Sequence, residues 1–295
     1  MAPRSAAEVE QALARLQRQR PLDEAGLVFY ALGAQLVAVD VEIVVAEKAL
    51  VPRRVGHRPA SLRRRPLCVY WVVSRPGPRR TVRRVAVLAS GGLDSGVLIA
   101  DIAGEAKVFP IYVEAGLAWE DGEKYALRVF LDALNDTNVQ PLTSLELPLR
   151  RLYGEHWSTT GEGVPDYGAP DSAVYLPGRN VLLIGVTAVW CALHDIGMIA
   201  IGSLDANPFP DATPSFLEGY GRLLSRALAH EIEVVAPYGR LQKSDLIARF
   251  AALPLHLTLT CMAPREGKHC GACNKCRERQ EAFRHAGVED RTQYA

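Results

Sequence analysis

Val85-Ala86-Val87-Leu88-Ala89-Ser90-Gly91-Gly92-Leu93-Asp94-Ser95-Gly96 is the stretch on which the fold turns. Val85 to Ala89 is a short apolar run of the kind that forms a buried strand. Gly96 to Ile102 then opens a helix, so Ser90 to Ser95 form a strand-to-helix turn. In that setting two adjacent glycines let the backbone turn sharply and bring its amides close to an anion. Ser90 and Ser95 add hydroxyl donors and the helix N-terminus adds its dipole, a combination suited to phosphate. Asp94 is an anion beside that site: it either caps the helix by accepting from its first amides or holds Mg²⁺ against the phosphates. No Lys follows the glycines, which excludes the loop that feeds γ-phosphate transfer, and the spacing of a dinucleotide fingerprint is absent too.

Downstream, strand and helix signals alternate as they do in a parallel sheet. Strands are predicted over 108–113, 142–147 and 199–202, and helices over 120–134, 180–194 and 215–229. Such sheets bind ligands beyond the carboxyl ends of their strands, which directs attention to the loops that follow strands. Asp205 and Asp211 stand in one of these, a Pro-rich loop. The polar stretch Ser158 to Gly161, with Glu162 and Asp166, reads as an insertion able to serve as a lid. His156 and Trp157 within it read as packing residues.

Upstream, Ser5-Ala6-Ala7-Glu8 has the form of a capping box, and Val9, Leu13 and Leu16 fall on one helical face. Val39 to Ile43 and Leu67 to Val73 read as strands, and Arg75-Pro76-Gly77-Pro78-Arg79-Arg80 as a linker. Residues 1–82 are therefore expected to form a separate, basic α+β extension. Residues 1–83 hold 15 Lys and Arg against 7 Asp and Glu, a net +8, whereas the rest holds 19 against 26, a net −7. An arm of that charge can meet nucleic acid, but docking on the acidic body of its own chain or of a second copy is the simpler reading, and a homodimer is expected. No run of 18 apolar residues occurs and the N-terminus lacks a secretory pattern, so a cytoplasmic protein with no membrane partner is expected.

Four of the six cysteines, Cys261, Cys270, Cys273 and Cys276, crowd into sixteen residues as C-x8-C-x2-C-x2-C. In a reducing compartment that spacing reads as a metal site and not as a pair of disulfides. Four thiolates leave a zinc ion no open position, so one structural Zn²⁺ per chain is expected to fix a tail over 258–295 against the body. An iron–sulfur cluster can use the same ligands. His269 is adjacent but not needed as a fifth donor. Cys68 and Cys191 lie in apolar runs and read as plain buried residues.

Ser90 to Ser95 matches the PP-loop motif throughout, and Leu88, Ala89 and Gly96 flank it. Together with the cysteine tail, the loop resembles the 7-cyano-7-deazaguanine synthase family of the queuosine pathway, of which this chain looks like a divergent branch. Leu176-Pro177-Gly178-Arg179-Asn180 is similar to that family's P-[AG]-R-N stretch, Lys243 falls in a T-K-A-E-like segment, and Thr258 to Cys261 falls in its T-W-S-C. The likeness covers about residues 84 to 287. Phe209 to Phe216 occupies the place of Y-P-D-C-R-P-E-F, keeping Asp211 but carrying Ala212 and Thr213 for Cys and Arg. Leu259 replaces the Trp of T-W-S-C, and Glu114 to Glu123 differs from the usual D-Y-G-Q-x-H.

The resemblance implies a doubly wound, mainly parallel α/β sheet of the adenine nucleotide alpha-hydrolase kind over 83–257. It also implies an ATP-dependent C–N ligase with ATP and Mg²⁺ as co-substrate. A carboxylate, in that family 7-carboxy-7-deazaguanine, would be adenylated, converted with ammonia to an amide, and then to the nitrile. The loop would grip pyrophosphate as the leaving group. On this reading Leu88 to Gly96 bind ATP. Asp94, Arg179 and Lys243 serve the chemistry, with Arg179 as a bidentate fork and Lys243 on phosphate. Arg179, Asn180, Asp205 and Asp211 meet the substrate, with Asn180 either bonding it or capping the following helix. Two rivals stand beside this: an RNA-modifying PP-loop enzyme using the basic arm, and a nucleotide-binding partner module without turnover.

Overall fold

The computed structural model describes residues 83–205 and 207–295, together with the backbone of β1 (Ala31–Leu32) and β2 (Gln35–Leu36), an antiparallel pair. The chain forms two compact units, Met1–Val72 and Val73–Ala295. The expected helix after Ser5, the strands over 39–43 and 67–73, and the linker at 75–80 lie outside the described residues.

The second unit is built on five parallel strands: β3 (Arg84–Leu88), β4 (Lys107–Glu114), β5 (Thr143–Glu146), β6 (Met198–Ala200) and β7 (Glu233–Val235). Their order is β5-β4-β3-β6-β7. Val85 lies opposite Val108 and Ala86 opposite Ile199, so β3 is fully flanked and apolar on both faces. That is the pattern of a central strand in a doubly wound sheet. Helices cover each side. Val85 and Val87 pack with α1 (Leu93–Ala103) and α2 (Glu120–Leu134), and with Leu246 of α7 (Lys243–Arg249) and Phe283 of α8 (Asn274–Ala286). Ala86 and Ile111 face α5 (Arg179–Leu193) and α6 (Pro214–Leu228). The short α3 (Arg150–Tyr153) and α4 (Trp157–Thr160) lie between β5 and α5.

Local chemistry sets the helix ends. Glu120, Asp121 and Glu123 crowd the first turn of α2, where the dipole favours anions, and Asn135 ends it in the left-handed region. Thr213 caps α6 by accepting from the Phe216 amide, with Pro214 at the first helical position. Within residues 83–295 the predicted strands and helices are present within a few residues of their expected limits, whereas α3, α4, β7, α7 and α8 had no predicted counterpart.

The 158–166 segment is not an open insertion. Ser158 and Thr159 are buried in α4, and Asp166 bridges to Cys273, so the segment is packed on the cysteine tail. Its hydroxyls explain the difference: Thr159 donates to the carbonyl of Gly154 at 2.7 Å, and the His156 ring accepts from the Ser158 amide, which closes a turn out of polar residues. Cys191 is buried in the core, as its apolar setting implied.

Candidate active site

The strand order reverses between β3 and β6, and a cavity of about 300 Å³ opens there, beyond the carboxyl ends of the strands. Its floor is the Ser90–Ser95 turn. Gly91 has φ +70°, and a Cβ there would lie 2.4 Å from the Glu123 carbonyl oxygen, so only glycine lets α2 approach the loop. Ser95 does not reach outward: its hydroxyl donates to the Gly92 carbonyl at 3.1 Å and accepts from the Ser90 amide at 3.2 Å, fixing the turn from inside. From the tail, the Leu259 amide donates to the Gly91 carbonyl at 2.8 Å.

Asp94 does not cap α1. Gly92 is the capping residue, and no side chain bonds the first amides. Instead Lys243 Nζ, from the start of α7, lies 3.1 Å from Asp94 Oδ2 and also pairs with Glu278 of α8. Lys275 Nζ donates to the other Glu278 oxygen at 2.6 Å, giving an alternating row of two acids and two cations. Burial would lower Lys243, but Asp94 and Glu278 hold it charged. Burial would also raise Glu278, yet Lys243 and Lys275 pull it down to about 2. Burial pushes the Asp94 carboxyl up against the pull of Lys243, and its Oδ1 is buried with no hydrogen-bond partner. A buried orphan carboxylate oxygen beside a phosphate-type loop is suited to a cation or a ligand donor.

Arg179 enters the cavity from the first turn of α5, and its Nε is buried without a partner. Asn180 lines the cavity too, but its hydrogen bonds are internal: its amide donates to Asp211 Oδ2 at 3.0 Å and its side chain donates to the Asp211 carbonyl and Oδ1. Asn180 is not the helix cap either, since Gly178 takes that position with φ +70°. Asp211 is buried and engaged by these bonds. Asp205 is exposed, accepts from Gln242 Nε2 at 3.0 Å, and does not line the cavity. Of the residues expected to bind ATP, Leu88, Ala89, Ser90, Gly92, Asp94 and Ser95 line the cavity, and Gly91, Leu93 and Gly96 do not.

Several lining residues are not among the expected site residues, and Trp157, read from the sequence as a packing residue, is one of them. Two aromatic pairs contribute walls: Trp119 and Trp157 stack with centroids 5.7 Å apart, and Tyr175 and Phe209 stack at 5.0 Å. Flat walls of this kind suit a planar ligand. Tyr112 Oη donates to Glu123 Oε2 at 3.0 Å, and both line the cavity. Burial pushes Glu123 up to about 7, against the Arg179 charge and the Tyr112 donor. Lys275 is also there, held between two cysteines of the motif. The 114–123 departure and the Lys inside C-x2-C-x2-C were the available signals.

The four cysteine sulfurs lie within 4.8 Å of one another, with Cys273 Sγ 3.5 Å from Cys276 Sγ and Cys261 Sγ 4.0 Å from Cys273 Sγ. Tetrahedral zinc–thiolate bonds place sulfurs about 3.8 Å apart, so the cluster fits one ion. Amides of Ala263 and Cys270 donate to Cys261 Sγ, which suits a thiolate. His269 bonds Thr260 instead. The buried Arg279 of α8 donates to Thr258, Thr292 and the Leu255 carbonyl, locking the strip that leads from the cluster to Gly91.

Sheet order, loop and cavity together define a PP-loop α/β protein. A family model for "Queuosine biosynthesis protein QueC" matches residues 84–287, and the chain belongs to that family. It is 29% identical over 231 residues to the 7-cyano-7-deazaguanine synthase of Pseudomonas syringae, covering 73% of this chain and 97% of that one. It is 30% identical to 7-cyano-7-deazaguanine synthase 1 of Sphingopyxis alaskensis, covering 72% and 99%. Among solved structures, a U34-tRNA thiolase from Methanococcus maripaludis is similar at 14% identity and a TM-score of 0.39, covering 69% of this chain and 65% of that one. That likeness carries no functional argument. Among the described residues no helix is long and apolar enough to cross a membrane.

Proposed function

We propose that this protein is an ATP-dependent C–N ligase of the queuosine pathway that adenylates 7-carboxy-7-deazaguanine, converts it with ammonia to the amide, and carries it on to the nitrile. The supporting observation is the convergence on one cavity of the phosphate-type loop, the ion pair Lys243–Asp94, and Arg179 with an unpartnered Nε. The loop amides and Lys243 bind the β- and γ-phosphates and take up charge as pyrophosphate leaves. Asp94, whose Oδ1 has no hydrogen-bond partner, would hold Mg²⁺ against the phosphates, and Arg179 holds the substrate carboxylate against the α-phosphate. The stacked aromatic pairs receive the flat deazapurine. Asn180 acts by holding Asp211 in the cavity wall. One zinc ion on Cys261, Cys270, Cys273 and Cys276 supplies structure only.

Zinc-loaded protein is incubated with ATP, Mg²⁺, ammonia and 7-carboxy-7-deazaguanine, and AMP, pyrophosphate and product mass are followed. AMP formed only with another carboxylate would retain the class and reject the substrate. ATP binding without turnover on any carboxylate would reject the ligase.

A further inference from the structure

We infer that Glu123 is the group that takes a proton from the nitrogen nucleophile as the amide forms, an inference that rests on the ligase reading above. Three acids line the cavity among the described residues: Asp94, Glu123 and Asp211. Asp94 is paired with Lys243, and the Asp211 carboxylate accepts two bonds from Asn180, one on each oxygen. Glu123 has no ion-pair partner within salt-bridge distance; its carboxyl accepts only from neutral side chains, the Tyr112 phenol and the Trp119 indole. The residue is 8% exposed, and its carbonyl lies against Gly91, which sets the acid beside the phosphate loop. The groups facing it are Tyr112 of β4, Arg179 of α5, and Trp119 and Glu120 at the start of its own helix. Its proton affinity is matched to a base working near neutrality. Arg179 leaves a donor free for the acyl group next to this acid.

Ammonium gives one proton to the Glu123 carboxylate, and the freed lone pair forms the C–N bond at the acyl carbon. The C–O bond to AMP breaks, its electron pair leaving on the phosphate oxygen, and the adduct's second proton passes to water. Acyl adenylate formation needs no such base.

The test compares full-length wild type with Glu123→Gln and Glu123→Asp in three assays. These are ATP–pyrophosphate exchange dependent on 7-carboxy-7-deazaguanine, hydroxamate formation with hydroxylamine (a nucleophile already neutral at pH 7), and amide formation with ammonia. Glu123→Gln is expected to keep exchange and hydroxamate while amide formation falls about 10²–10⁴-fold, and Glu123→Asp to recover part of the loss. Equal loss in all three assays by a folded Glu123→Gln protein would overturn the inference, as would unchanged amide formation. Absence of exchange in the wild type would instead sink the ligase reading, and the inference with it.

Discussion

Gly91→Ala and Gly92→Ala change neighbouring residues by the same methyl group, and the structure assigns them very different outcomes. Gly91 sits at φ +70°, where an L-residue costs about 1–2 kcal/mol. Its new Cβ would stand 2.4, 3.0 and 3.1 Å from the carbonyl oxygen, carbonyl carbon and Cα of Glu123, all backbone atoms of α2 with no rotamer to yield. Relieving that contact requires loop or helix to move by up to an ångström, an overpacking cost of about 1–3 kcal/mol. Together these come to about 2–5 kcal/mol, which lowers the melting temperature of a domain this size by roughly 5–15 °C. Movement of Gly91 also breaks its bond from Leu259, so nucleotide affinity falls with stability. Gly92 has φ −76°, and its Cβ would meet the Ser90 hydroxyl at 3.2 Å and the Thr260 methyl at 3.4 Å, both side-chain atoms, with the Leu259 carbonyl oxygen at an ordinary van der Waals distance of 3.8 Å. That variant stays within about 1 kcal/mol of wild type. Calorimetric melting and ATP titration of the two proteins decide the matter. Equal damage from both, or none from Gly91→Ala, would refute a fold-imposed glycine and leave only amide–ligand approach as its reason.

Lys243→Met leaves the half-buried Asp94 carboxylate without its cation while Glu278 keeps Lys275; nucleotide affinity is expected to drop at least tenfold, about 1.4 kcal/mol, by titration with ATP and Mg²⁺. Native mass spectrometry is expected to find one zinc per chain. Cys273→Ala or a strong chelator then lowers the melting temperature before it lowers activity per folded molecule, and activity lost with melting unchanged would reject a structural metal. Stability against pH reads Glu123 directly. Its folded value near 7 exceeds the ordinary 4.5, so the group favours the folded state least when ionised. Wild type therefore loses stability relative to Glu123→Gln as pH rises from about 4.5 to about 7, by about 3 kcal/mol, with no further divergence above. Parallel denaturation curves across that window would show the carboxyl is not buried as described.

The fold was legible where a single local signal decided it. The run Val85–Leu88 is apolar on both faces because β3 has a neighbour on each side, and the alternation after it could hardly serve another architecture. The cysteine cluster was legible for the same reason, since ligand spacing is a local property. β7 is only three residues long with one buried member, too little for periodicity to register. Helix α8 was hidden by its composition, Arg- and Glu-rich around a fully buried Arg279 whose partners are threonines and a carbonyl from elsewhere in the chain.

Site residues divide along the same line. Lys243 and Arg179 were singled out through short segments, but their surroundings come from other elements: Asp94 and Glu278 pair with Lys243, and Glu123 and Tyr112 lie near Arg179. Asn180 and Asp211 both suggested ligand contacts, and the structure turns them toward each other, since one's amide groups complement the other's carboxylate. Glu123 carries no motif; its character comes from Tyr112, Arg179 and the depth of the cavity. Arg279 fastens Thr258 and Thr260, Leu259 between them donates to Gly91, and Gly91 in turn admits the Glu123 carbonyl. The cysteine tail thus reaches the phosphate loop through one continuous set of bonds, and the loop reaches the buried acid. A metal holding four thiolates at the far end of that chain would govern both the shape of the loop and the placement of the acid beside it.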